Sequence, residues 1–172
     1  MTLSRRDLGA LLAATLTVGA LDLSYVWVLW VAVRQKISTE TLLQSIATGW
    51  MGRAAYQGGL PTAFLGLLSH FLIAAIWCTL FLVVVRSVPS LARAAGTSRG
   101  RLLLGVAAGP AIWWCMDLIV LRVSHARPVP VTDRTFWVNT LQHAIMVGPP
   151  MGLILGRKAT SRWSAEGARP RA

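Results

Sequence analysis

Residues 38–85 read STETLLQSIATGWMGRAAYQGGLPTAFLGLLSHFLIAAIWCTLFLVVV, and the change of character partway along this stretch decides the fold. From Leu60 to Val85 there is no Asp, Glu, Lys or Arg, and the apolar residues form a run rather than a stripe. As a helix that run is about 39 Å long, more than the roughly 30 Å of a bilayer's hydrocarbon core. Pro61 is tolerated in its first turn. The segment before it is different. Ile37, Leu42, Leu43, Ile46, Ala47, Trp50, Met51 and Ala54 recur mostly at steps of three and four, with Gln44, Ser45, Thr48 and Arg53 between them. One apolar stripe on so polar a helix predicts a short interfacial helix, about residues 39–57, lying on the membrane or dipping back into the protein. Ser38 or Thr39 would cap it, and Gly58-Gly59 would stop it.

Outward from this stretch the pattern repeats. The 172 residues are 55% apolar and only 13% charged, against about a quarter charged in soluble domains. Mean hydropathy is +0.58. Arg5-Arg6 before an apolar run resembles a signal peptide, but the run continues past Asp22 through SYVWVLWVAV and reads as a first span. The expected fold is all-α: a polytopic membrane protein with four transmembrane helices, at about 8–33, 60–85, 102–121 and 136–155. Residues 1–156 would form a single membrane domain and 157–172 a disordered basic tail. Pro128 and Pro130 predict an extended loop before the last span, which Thr132 or Asp133 would cap.

The net charge of +11 belongs to topology and to anionic headgroups at the cytoplasmic face rather than to nucleic acid, for which no motif is present. The N-terminal segment, the second connector and the C-terminal segment carry eleven of the Lys and Arg residues; the other two loops carry six. Both termini are therefore expected in the cytoplasm. Tyr25, Trp27, Trp30, Trp50, Tyr56, Phe136 and Trp137 would form the aromatic belt of the outer interface.

Four ionisable residues fall within the spans: Asp22, His70, Asp117 and His143. A central Asp costs roughly 2.5–3.5 kcal/mol on insertion scales, so these residues should face the bundle. The helical rise places Asp22 and His70 about 16 and 15 Å below the outer surface, and Asp117 and His143 about 6 and 10 Å. Depth alone would pair Asp22 with His70 and Asp117 with His143, with Asn139, Thr140 and Gln142 near the second pair and Gln44, Ser45, Arg53 and Gln57 as a roof. Such pairs serve either as interhelical glue or as a proton, ion or small-ligand site. Haem between His70 and His143 would need both rings on one iron although their depths differ by about a turn.

No paired His or Cys has zinc-ligand spacing. Cys78 and Cys115 lie alone in different apolar runs without a C-x-x-C, which speaks for buried thiols and against disulfide exchange. Neither G-x-S-x-G, H-E-x-x-H, a phosphate loop nor a dinucleotide fingerprint is present, so no enzyme, cofactor or metal is expected. Gly105-x-x-x-Gly109 and the four-residue spacing of Gly148, Gly152 and Gly156 favour close helix packing. Pro110 and Pro149-Pro150 break helices at similar depth, either as plain kinks or as marks of a transport site.

Three runs carry a resemblance: Leu42-Leu43-Gln44-Ser45-Ile46-Ala47-Thr48-Gly49, Gly52-Arg53-Ala54-Ala55-Tyr56-Gln57-Gly58-Gly59, and Ala63 through His70-Phe71. With Leu21-Asp22 and Tyr25 before them, and His143, Val147-Gly148 and Pro150 after, they resemble a family of small bacterial four-span inner-membrane proteins of no known activity. The likeness covers roughly residues 20–156; Asp117 stands where the family pattern has Asn. It implies architecture and no mechanism. The function expected is a non-enzymatic structural or partner subunit, as a homo-oligomer or within a larger membrane complex. The alternative is a small transporter or proton/ion conductor using the Asp/His pairs.

Overall fold

The computed structural model describes residues 4–159. Within them every regular element is helical. Three helices are long and apolar enough to cross a membrane: α1 (Arg5–Val33), α3 (Gly59–Ser87) and α5 (Ser98–Val123). Between them lie α2 (Thr39–Met51) and the short α4 (Pro89–Ala94), and the chain closes with α6 over 134–159. Helix α6 is as long as the others but carries Asn139, Gln142, His143 and Pro149-Pro150 and is not one of those three.

Side-chain caps start α1, α2, α5 and α6. Ser4 and Asp7 form a reciprocal capping box that starts α1. Ser38 accepts from the Thr41 amide (3.1 Å) at α2, and Thr97 from the Gly100 amide (3.0 Å) at α5. Helix α2 stops earlier than expected. Gly52 adopts φ +57°, a conformation an L side chain rarely takes, and Gly52–Gln57 then turns as a 3-10 helix. The expected disordered tail is also corrected at its start. Arg157, Lys158 and Ala159 continue α6, because Ala159 is fully buried and the Lys158 carbonyl accepts from Arg86. The rest of the expected tail lies outside the described residues.

Asp133 caps α6 by accepting from the Thr135 amide at 2.7 Å, which holds its carboxyl below the ordinary value of 3.8. A lowered folded value means that the cap contributes fully above the ordinary value and is lost as pH falls through the folded one. Asp133→Ala is therefore expected to lower the melting temperature at neutral pH and to lower it less at an acid pH below the ordinary carboxyl value. Thermal unfolding at both pH values reads this.

Helix α6 is the hub, with α1, α3 and α5 all packed on it. Its contact with α5 runs along glycines. Gly105 and Gly109 face Gly148, the His143 backbone and Gly152 so closely that a Cβ at any of these glycines would fall on backbone of the other helix. This close approach is what the small-residue spacing predicts. Helix α2 lies against α3, where Gly66 meets the Leu43 carbonyl. The buried core of Leu11, Val18, Cys78, Leu82, Met151 and Leu155 sits towards the end of the bundle that holds both chain-terminal helix ends. Leu12, Leu16, Leu60, Phe64, Leu68, Leu72 and Leu80 are exposed on the outer faces of α1 and α3. In water so much exposed apolar surface is anomalous; facing lipid it is expected.

Candidate functional site

Helices α3 and α5 both lean on α6 but have no substantial contact with each other. Between them is a cavity of about 1080 Å³, backed by α1 and α6 and bordered by α2. One end closes on buried Ile112, Val147 and Met151; at the other, the lining residues Trp50, Arg53, Tyr56, His125 and Arg127 are exposed. The loop after α5 forms this mouth by docking on α2: the His125 amide donates to the Gly49 carbonyl at 3.2 Å.

Most of the polar residues expected inside the spans gather on the cavity wall, in a different pairing. Asp22, His70, Asn139, Gln142 and His143 all line it. Asp22 does not bond His70; its Oδ1 accepts from Gln142 Nε2 at 3.0 Å and lies 3.9 Å from His143 Nε2. His70 Nε2 instead donates to the Gly19 carbonyl at 2.9 Å, one turn before Asp22 on α1. His143 Nδ1 lies 2.9 Å from the Asn139 carbonyl. A carbonyl can only accept, so Nδ1 carries a proton, and in the neutral ring Nε2 presents a lone pair to Asp22.

Asp117 does not meet His143. It is fully buried, and its Oδ1 accepts from the Val129 amide at 2.7 Å, so it anchors the loop that forms the mouth. Its Oδ2 has no partner among the described residues. Of the roof, Arg53 and Ser45 line the cavity, but Gln44 and Gln57 do not. Gln44 is buried and donates to the Gly59 carbonyl (3.1 Å), joining α2 to the start of α3, and Gln57 is exposed.

Local structure explains two of these placements. The backbone widens into π-turns at Met116–Val120 and His143–Val147, which contain Asp117 and His143. Such turns are frequent at functional sites, and each rotates the face that its helix presents. Trp113 and Trp114 are packing mass with polar handles. Trp113 Nε1 donates to the Phe136 carbonyl (3.1 Å) and Trp114 Nε1 to Thr140 Oγ1 (3.1 Å), clasping α5 to α6. Both cysteines are free, Cys78 buried and Cys115 partly so. No cluster of three or more metal-ligating side chains exists among the described residues.

Two features were not anticipated from sequence. One is the basic mouth, where His125 and Arg127 join Arg53. The other is a buried ion pair at the closed end: Arg86 Nη2 donates to Asp7 Oδ1 at 2.5 Å and to the Lys158 carbonyl at 3.0 Å. The capping box Ser4-x-x-Asp7 was readable as a helix start; its second use by Arg86, 79 residues on, was not. No protein family, curated protein or solved structure matches the chain.

Proposed function

We propose that the protein is a four-span carrier of the bacterial inner membrane, with both termini cytoplasmic and α2 at the outer interface. In this reading it binds a small solute in the cavity and couples its movement to a proton shared by Asp22 and His143. The length of α6 supports a fourth span, and the distribution of Lys and Arg supports the orientation. The mouth then faces outward, and the ion-paired end faces the cytoplasm.

One observation carries the reading. Asp22 Oδ1 and His143 Nε2 face each other at 3.9 Å on the wall of a cavity, and with the ring neutral both are acceptors. Two acceptors so placed call for a proton, or for a donor that bridges them. Asp22 Oδ2, with no partner among the described residues, offers a second point of attachment. A purely structural subunit would bury such groups against one another rather than line a cavity with them. The cavity also closes at one end, which suits a carrier that alternates access better than an open ion channel.

In proteoliposomes the protein should carry a proton flux that depends on Asp22 and His143. Asp22→Asn and His143→Gln are each expected to reduce it by about tenfold or more, the loss of one charge-assisted contact. Asn139→Cys, in a Cys78→Ser/Cys115→Ser background, should react with a membrane-impermeant maleimide from the outer side only. Undiminished flux in both Asp22 and His143 variants, or labelling only from the inner side, would overturn the reading.

A further inference from the structure

We infer that the cavity takes a phosphate-bearing lipid amphiphile. Its head sits between Arg53 and Arg127 at the mouth, and its chain leaves sideways between α3 and α5. This rests on reading the cavity as a ligand site and names the class of what occupies it.

The first observation is charge. Docking of the His125 amide on Gly49, with Gly52 against the His125 side chain, brings the loop carrying Arg127 to the turn carrying Arg53. Neither arginine has an acidic partner among the described residues, because the acids are engaged elsewhere. Asp7 is taken by Arg86, Glu40 by Gln44, Asp117 by the Val129 amide, Asp133 by the Thr135 amide, and Asp22 lies with Gln142 and His143. Two unpaired guanidiniums at one mouth suit a phosphate, whose oxygens match their forked donors.

The second observation is the side of the cavity. Leu72 and Ile76 of α3 are exposed and also line it, and Met116, Val120 and Val123 of α5 line the other lip. A soluble anion needs no apolar opening towards the bilayer; a ligand with a hydrocarbon chain does. The volume agrees: about 1080 Å³ is just above the roughly 300–1,000 Å³ range of small-ligand pockets. Asp22 and His143 lie on the opposite wall, formed by α1 and α6. There a shared proton offsets the carboxylate's repulsion of the phosphate, and Oδ2 can accept from a hydroxyl near the head.

The test uses the full chain in phosphatidylcholine nanodiscs and its own fluorescence, since Trp50, Trp77 and Trp113 line the cavity. Brominated-chain lysophosphatidic acid should quench saturably and more strongly than a brominated monoacylglycerol of the same chain. Arg53→Gln/Arg127→Gln should weaken the excess quenching by about tenfold or more, the worth of a lost charge-assisted pair. Arg122→Gln, in the last turn of α5 and outside the cavity lining, should not. Equal quenching by the two lipids, or full affinity in the double arginine variant, overturns the inference. So does abolition of the excess quenching by inorganic phosphate at the lipid's own concentration, which would assign the site to free phosphate. Proton flux measured on the same preparations separates this result from the carrier reading: flux without lipid selectivity removes the inference alone. Lipid selectivity without flux supports the inference and removes the proton coupling.

Discussion

Asp7→Asn and Arg86→Met are each expected to lower the free energy of unfolding by about 3–5 kcal/mol, the cost of leaving one partner of a buried ion pair alone. Asp7 and Arg86 are 6% and 8% exposed, and between them they hold three helix ends together. These are the first turn of α1, the last turn of α3 and, through the Lys158 carbonyl, the last turn of α6. Removing Arg86 takes the guanidinium from Asp7 Oδ1 of a buried carboxylate and from the Lys158 carbonyl; removing the Asp7 charge leaves a buried guanidinium whose Nε already has no partner among the described residues. The double substitution Asp7→Leu/Arg86→Met should recover most of the loss, since an apolar pair has no charge to desolvate. Thermal unfolding in detergent, arranged as a double-mutant cycle, measures all three. Single losses below about 1 kcal/mol would mean that the pair behaves as an exposed salt bridge and does not seal the closed end of the bundle.

Gly148→Ala is the second large effect. A Cβ there would land on the Gly105 carbonyl, closer than any real side chain sits to backbone, and the neighbouring atoms cannot swing away as a side chain would. Helices α5 and α6 would have to separate, carrying Trp113, His143 and the cavity wall with them. The loss is expected at about 3 kcal/mol, the upper end of overpacking penalties, and Gly148→Leu should yield no monodisperse protein. Gly9 supplies the contrast, because nothing lies within 4 Å of where its Cβ would be. Gly9→Ala should be neutral or stabilise by up to about 1 kcal/mol through helix propensity. The two alanine variants therefore move the melting temperature in different directions, if contact rather than propensity governs this crossing. Similar shifts would mean that α5 and α6 do not cross as closely as described.

These two sites differ in how legible they were. The four-residue spacing of Gly105, Gly109, Gly148, Gly152 and Gly156 is periodic and local, so close packing by each of these helices could be read in advance, though not that they pack on each other. The Asp7–Arg86 pair has no local signature; Arg86 reads as one of many connector arginines. The candidate site falls between these cases. That Asp22, His70 and His143 face the bundle follows from the cost of charge in lipid, and all three line the cavity. Which residue meets which did not follow. The helical rise supplies depth along an axis and nothing about rotation around it or about which helices are neighbours. The π-turns at residues 116–120 and 143–147 then shift the phase of α5 and α6, which a regular period cannot anticipate. Asp22 consequently lies with Gln142 and His143, and Asp117 is turned to the loop backbone.

By itself, the sequence determined that the chain is helical, that its long apolar runs are suited to a bilayer, that α2 is a separate amphipathic helix, and that few ionisable groups would be drawn inward. Each of these follows from composition and near-neighbour spacing, where the solvent preference of single side chains dominates. Only the tertiary structure decided that α3 and α5 diverge, that a cavity lies between them, that a loop is folded back over α2 to make its mouth basic, and that the far end is sealed by an ion pair. Those features depend on relative rotation and on contacts between residues as far apart as Asp22 and Gln142, 120 positions along the chain, which the folded packing alone specifies.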